Sequence, residues 1–286
     1  MSADFLVVGH VARDLVPGGH RLGGAAYAAL AASRLGRRTA LVTSAALDLD
    51  VASALPGVDL HVTPSAASTT FENRYPSGRR VQILHARAES LSPVPGLALQ
   101  PGATVLLTPI ARELDPADWL PLGRYMAVSL QGLLRRWDDD GHVRASMRAL
   151  PSLSGSLALF FSHEDLSHAA ARARVLANCQ QEARFVLLTR GPGGATLYER
   201  GRAPVYVPAF PAPEIDPTGA GDVFAAAFLV RYQETKNGIE AARFAAAAGS
   251  LTVESPGLEG VPARAQIEER LSHPAPLARA LRAAHG

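Results

Sequence analysis

Two carboxylates flank a glycine-rich turn in Asp216-Pro217-Thr218-Gly219-Ala220-Gly221-Asp222, and the apolar run Val223 to Val230 follows at once. Pro217 and the glycines end an extended segment, whereas the alanine-rich run after them favours a helix. Gly219, Ala220 and Gly221 then lie at a helix start, where unpaired N–H groups and the positive end of the helix dipole face outward. Such a turn can hold a phosphate or another anion. Asp222 falls in the first turn and has two readings: a cap on free amides, or a base that takes the proton of an attacking hydroxyl. Phosphoryl transfer asks mainly for positioning and charge stabilisation, so one carboxylate, an anion hole and Mg²⁺ would suffice.

The cationic residues narrow the choice. Of the 28 Lys and Arg residues 27 are Arg, and the one lysine, Lys236, stands in Glu-Thr-Lys-Asn-Gly with no glycine-rich stretch before it. Neither a G-x-x-x-x-G-K-[ST] loop nor a Val-Ala-Ile-Lys strand can be written, and Schiff-base chemistry would have to use Lys236. Phosphate is left to backbone amides and arginines. The 286 residues are 48% hydrophobic and 19% charged, the composition of a compact globule. A net charge of +2 gives no strong pull toward nucleic acid or a membrane. No apolar run approaches the roughly 20 residues of a membrane span. The lone Cys179 excludes an internal disulfide, and the first residues lack the pattern of a signal peptide, so a soluble cytoplasmic protein is expected. Other constellations are poor. His163 and His168 lack a third zinc ligand, and Asp138-Asp139-Asp140-Gly141 lacks the alternation of a calcium loop and reads as a solvated turn.

Short β-rich runs between alanine-rich segments would position these residues. Strands are expected at Phe5 to Val8, Ala40 to Thr43, Val105 to Thr108, Met126 to Leu130, Leu157 to Phe161, Phe185 to Thr189 and Ala195 to Tyr198. Helices are expected at Ala25 to Leu35, Val143 to Leu150, His168 to Glu182, Ala220 to Tyr232 and Ile239 to Val253. That order predicts an α/β fold with a doubly wound, mainly parallel sheet. Ser68 to Ala88 breaks the rhythm: two strand-like runs surround Pro76-Ser77-Gly78 with no helix between them, which makes an edge hairpin or a flap over a site.

Asp216 to Phe224 resembles the C-terminal signature of the PfkB, or ribokinase-like, family of carbohydrate kinases. Three further segments resemble family motifs in the family's order. Val8-Gly9-His10-Val11-Ala12-Arg13-Asp14 is similar to the first strand and its substrate-binding Asp, and Leu22-Gly23-Gly24-Ala25-Ala26-Tyr27-Ala28 through Gly36 to the double-glycine signature. Thr189-Arg190-Gly191-Pro192-Gly193-Gly194-Ala195 resembles the turn that meets nucleotide phosphates. The resemblance implies one ribokinase-like kinase domain over 1–286, with a small β lid inserted around 60–90.

On this resemblance Asp222 is the general base, with Gly219, Ala220 and Gly221 as anion hole. Asp14, Gly23 and Gly24 hold the acceptor's hydroxyls, beside Tyr27 and the lid candidates Phe71, Asn73 and Arg87. Thr189, Arg190, Gly191 and Gly194 meet the phosphates of ATP. Ala246 and Gly249 border the adenine, with plain helix packing as the alternative. Asp216 and Thr218, with carbonyls near Ser255 to Gly257, match where relatives bind K⁺, and fixing the loop is the alternative. The lid would close over the acceptor and exclude water.

Two departures stand out. The family's N-x-x-E motif is replaced by Ser162-His163-Glu164-Asp165, which leaves Glu164 or Asp165 to act on Mg²⁺ through water. Tyr27 stands where an Asn is usual, in a segment one residue shorter. With Leu130 to Arg135 and Thr69-Thr70-Phe71, it makes the sequence resemble the inositol-kinase-like branch. The implied activity is ATP-dependent phosphorylation of a hydroxyl on a small sugar or polyol. A nucleoside kinase of the same fold and a non-catalytic sugar or nucleotide sensor are the alternatives, and a monomer or homodimer is expected.

Overall fold

In the first strand Phe5 and Val7 face one hydrophobic cluster, while Leu6 and Val8 face a second. Successive strand residues point to opposite sides, so a run that is apolar at every position has both faces covered. A computed structural model of the chain describes residues 2–74, 81–122, 125–146, 148–166 and 168–273. The expected turn Pro76-Ser77-Gly78 lies outside the described residues.

The chain opens with β1 (Ala3–Val8), β2 (Val11–Val16), β3 (Gly19–Gly24), α1 (Ala25–Arg34), β4 (Thr39–Ala45), α2 (Val51–Ala54) and β5 (Asp59–Pro64). It continues with β6 (Thr70–Arg74), β7 (Val81–Ala86), β8 (Leu99–Leu107), α3 (Pro116–Trp119), β9 (Tyr125–Ser129), β10 (Arg135–Trp137) and β11 (Val143–Ala145). After these come β12 (Ser156–Ser162), α4 (Ala169–Glu182), β13 (Ala183–Thr189), β14 (Ala195–Glu199) and β15 (Val205–Val207). The helices α5 (Ala220–Thr235), α6 (Gly238–Thr252) and α7 (Arg264–Ser272) close the order.

Nine strands form the main sheet in the order β15-β14-β13-β12-β9-β8-β1-β4-β5. From β13 to β5 every pairing is parallel; β14 and β15 add antiparallel pairs at one edge. Residues of α1, α5 and α6 pack with one face, and Trp119 of α3 with Ala171 and Cys179 of α4 pack with the other. The α/β fold with a mainly parallel sheet expected from the sequence is therefore present, and a small second sheet with it, in the order β3-β2-β6-β7.

Two readings need correction. Val143 to Leu150, expected as a helix, begins with β11, which pairs antiparallel with β10 in the register Trp137↔Val143 and Arg135↔Ala145. The turn chemistry overrides helix propensity. Asp138 Oδ1 accepts from the His142 N–H at 2.8 Å, and Gly141 takes φ 78, so the chain reverses immediately before Val143. The second sheet also draws as much on 11–24 as on the region around 60–90, because β2 and β3 form a hairpin across Pro17-Gly18 and β5 belongs to the main sheet.

The register of this small sheet settles which lid residues share a face. Asp14 pairs with Arg21 on β3 and with Phe71 on β6, and Phe71 pairs with Leu84 on β7. Directly paired residues point the same way, so Asp14, Arg21, Phe71 and, two residues on, Asn73 project from one face.

Candidate active site

Helix α5 starts where the sequence places it. Gly219 is its N-cap in the left-handed region, φ 78, and a β-carbon there would run into the ring of Tyr27. A side chain at 219 is thus excluded both by backbone and by space. Tyr27 is fully buried on α1, and its hydroxyl has no hydrogen-bond partner among the described residues. Burial, then the charges of Asp216, Asp14 and Asp222, raises its pKa, so it stays a neutral phenol.

Asp222 lies in the first turn of the same helix and no hydrogen bond to its side chain is found among the described residues, so the capping reading finds no bond to support it. Burial pushes its pKa up to about 7; the Arg135 guanidinium opposes the rise, and the carboxylates of Asp165 and Asp14 add to it. A carboxylate poised near neutrality suits a general base. Asp14 reaches the same place from β2. Its carboxylate lies against Gly23, where a β-carbon would collide with it, so the glycine makes room for the acid. Gly24, φ 62, is the N-cap of α1, and its neighbour Ala25 donates to the carbonyl of His10.

Among the lid candidates, Phe71 is buried against Ala12, Leu84, Ile110 and Ala111, with the Arg135 guanidinium 5.9 Å from its ring centroid. Asn73 accepts a bond from Gln82 on the neighbouring strand at 3.1 Å. Arg87 is not brought to this group. It lies beyond the end of β7, where its guanidinium donates to the carbonyls of Ala111 at 2.8 Å and Arg112 at 2.9 Å.

The expected donor-phosphate turn follows β13 directly. Thr189 ends the strand, Arg190 precedes a single 3₁₀ turn over Gly191–Gly193, and Gly191 and Gly194 take φ 53 and 76. Thr189 pairs in register with Ser162 on β12, which sets this turn beside Ser162-His163-Glu164-Asp165. Arg190 Nε donates to His163 Nε2 at 2.8 Å. Asp165 accepts from the Ser162 N–H at 2.7 Å in a reciprocal cap, and burial raises its pKa. Glu164 follows the Ser162 cap on a half-exposed turn, its N–H donating to Ser162 Oγ. No group of three or more His, Cys, Asp or Glu side chains among the described residues can hold a metal by itself. Asp165 and Asp222 fit Mg²⁺ as partners through water and donor phosphates, the way that ion is usually held.

Ala246 and Gly249 lie on α6. Ala246 is buried, and Gly249 faces Ala220 and Phe224 of α5 with room for a β-carbon between the helices. Asp216 and Thr218 sit ahead of the anion hole, where Asp216 accepts from the N–H groups of Thr218 and Gly257, the Thr218 hydroxyl and the Arg21 guanidinium, a set of donors that does not fit a bound monovalent cation.

Two residues escaped the sequence reading. Arg135, on β10, is the positive charge that acts on both Asp165 and Asp222. Buried Glu113 accepts from the N–H groups of His10, Ile110 and Ala111 at 2.7 to 3.0 Å and so fixes the strand ends beneath the lid. Arg135 closes the segment Leu130 to Arg135, which carried a resemblance but no role for its side chain; for Glu113 the one signal in the sequence was an acid inside the apolar stretch after Val105 to Thr108.

Residues 155–264 match the pfkB family carbohydrate kinase profile. Over 88 residues the chain is 44% identical to the ribokinase of Bacillus subtilis (strain 168), a stretch covering 30% of this chain and 30% of that protein. The match thus spans less than a third of that relative's length. Among solved structures, a pyrophosphate-dependent kinase in the ribokinase family, complexed with a pyrophosphate analog and myo-inositol, superposes with a TM-score of 0.73 at 22% identity, covering 93% of this chain and 99% of that one. Arabidopsis thaliana ribokinase complexed with ribose and ATP superposes with a TM-score of 0.72 at 21% identity, covering 96% and 100%. The sequence matches to pfkB-type kinases cover part of the chain, and the structural likeness shows the ribokinase-like fold. No helix among the described residues is long and apolar enough to cross a membrane.

Proposed function

We propose that this chain is a pfkB-type phosphotransferase that moves a phosphoryl group from ATP to a hydroxyl of a small sugar or polyol. The observation that carries the reading is Asp222: an acid without a hydrogen bond among the described residues, held near neutral pKa, in the helix turn that the amides of Gly219 to Gly221 open. Asp14 accepts hydrogen bonds from the acceptor's hydroxyls, and Asp222 takes the proton of the hydroxyl that attacks. The amides of Gly219, Ala220 and Gly221 hold the charge that builds on the transferred group. Thr189, Arg190, Gly191 and Gly194 steady the donor, and the lid face with Phe71 excludes water. Bound Mg²⁺ would neutralise charge on the donor phosphates, and Asp165 and Asp222 would hold its waters, with exposed Glu164 beside Asp165 in the chain.

Tyr27 in place of the family's Asn supports the inositol-kinase-like branch for the acceptor, since a buried aromatic ring under Gly219 leaves a flatter, less polar floor than an amide does. The test is a coupled screen over pentoses, hexoses, inositols and nucleosides, with ATP and with pyrophosphate as donors. ATP-dependent turnover of a sugar or polyol, lost in Asp222→Asn, is the expected result. Turnover with pyrophosphate alone would overturn the donor assignment, turnover of nucleosides alone the acceptor class, and none in any combination the catalytic reading.

A further inference from the structure

Asp216 is ringed by donors. Its Oδ1 accepts from the Thr218 N–H at 3.0 Å, and the Thr218 side chain bonds the same carboxylate. Its Oδ2 accepts from the Gly257 N–H at 3.0 Å and from Arg21 Nη1 at 3.0 Å. A carboxylate offers about four lone-pair positions, and these donors fill them. A potassium ion needs the opposite, several oxygens converging on one point. The Gly257 peptide turns its N–H toward Asp216, with φ 60 setting that orientation, and the Ser255 carbonyl oxygen packs against Gly260.

Arg21 is the one cation in this ring, and its origin matters. It lies on β3 opposite Asp14, so the guanidinium comes from the lid sheet, and its stem rests on Gly257. The Asp216 side chain is only 13% exposed, whereas that of Arg21 is 45% exposed, so the acid is fixed in the loop while the arginine reaches in from outside. Asp216 leads through Thr218 directly into the anion hole.

We propose that the Arg21 guanidinium takes the place of a monovalent cation at Asp216: the lid sheet neutralises and fixes the anion-hole loop, and the protein needs no potassium. Arg21 is a positioning residue here, acting through Asp216. The proposal deepens the phosphotransferase reading and rests on it only for the kinetic arm of the test.

The first arm needs no turnover. Thermal unfolding of the full chain is measured in KCl, NaCl and choline chloride at equal ionic strength. Wild type is expected to melt at the same temperature in all three. Arg21→Met is expected to melt lower in choline chloride and to regain stability saturably with K⁺, and adding Asp216→Asn is expected to abolish that response. A saturable, K⁺-specific stabilisation of wild type would overturn the proposal, and so would an Arg21→Met protein that responds to salts as wild type does. Should Arg21→Met not fold, the wild-type comparison and Arg21→Lys decide: Arg21→Lys is expected to stay indifferent to K⁺, and a K⁺-specific gain in it counts against the proposal. In the kinetic arm, wild-type turnover is the same with and without K⁺, while Arg21→Met loses about tenfold and recovers with K⁺ or added guanidinium. If no acceptor turns over, the phosphotransferase reading fails and the melting arm still decides the role of Arg21.

Discussion

At Asp222 one carboxylate would carry both the proposed chemistry and a pH signature. Its folded pKa, about 7, lies above the ordinary carboxylate value of 3.8, so between these two the folded protein holds a proton that the unfolded chain has released. That stability is fully present below about 4 and is lost as pH rises through about 7. Asp222→Asn removes the dependence, so the variant should melt higher relative to wild type at pH 8 than at pH 5. Catalysis runs the other way, because a base must be ionised. The kcat/KM of wild type should rise through pH 7, and Asp222→Asn should lose about 10³-fold in turnover with an unchanged circular dichroism spectrum. An unaltered rate would remove Asp222 from the base role. Gly219→Ala tests the neighbouring amides: its β-carbon meets the Tyr27 ring and its φ is positive, so a stability loss of about 2 kcal/mol in denaturant titration is expected. The glycine-rich turn and both acids were legible from sequence, because local order fixes them. Arg135 was not, because it meets Asp165 and Asp222 only after distant segments fold together, and Glu113 was not, because its bond from the His10 N–H forms in the same way, although Ile110 and Ala111 are its near neighbours in the chain.

Seven of the nine strands of the main sheet were legible for a similar reason, and the two edge strands, β5 and β15, were not. Residues such as Leu157 to Phe161 are apolar at every position, and burial on both faces of a parallel sheet requires that. The small second sheet was half legible. Ser68 to Ala88 showed its two strands, but β2 and β3 carry Arg13, Asp14, His20 and Arg21 on an open sheet, so no apolar run marks them. The base of the lid is held by a short relay. Thr69 Oγ1 accepts from the Ala88 N–H at 3.0 Å and lies 2.7 Å from His10 Nδ1, while His10 Nε2 lies 2.8 Å from the Glu89 carbonyl. Burial lowers the His10 pKa, which favours the neutral ring that such a relay needs. Thr69→Val leaves the Ala88 amide and the His10 ring without this partner. A loss of about 2 kcal/mol is expected, together with faster amide exchange in β6 and β7 than in β12 and β13. Equal exchange in both sheets would show that the relay does not hold the lid.

Across the whole molecule, chemistry and charge separate along the strand direction. Gly9, Ser162 and Thr189 stand at or just beyond the carboxyl ends of β1, β12 and β13, on the side where α5 begins and where open α/β sheets take their ligands. At the amino ends, two surface grooves share Tyr125 and Lys236, and the lone lysine sits 4.7 Å from the Tyr125 ring centroid. Strands of five to seven residues keep these ends about 20 Å apart, so a ligand at one does not touch the other. Exchange in the sheet interior follows global stability and responds to binding at either end, whereas the loops report only their own side. Acceptor and a non-hydrolysable donor analogue, added together, should therefore slow amide exchange at 11–24, 70–74, 189–194 and 216–222, and leave 100–103 and 155–157 as they were. Protection confined to the lid strands with acceptor alone would place acceptor and donor on opposite sides of Asp222, the in-line arrangement that phosphoryl transfer requires. Protection at 100–103 and 155–157 instead would put the ligand at the Lys236 end and remove Asp222 from the reaction.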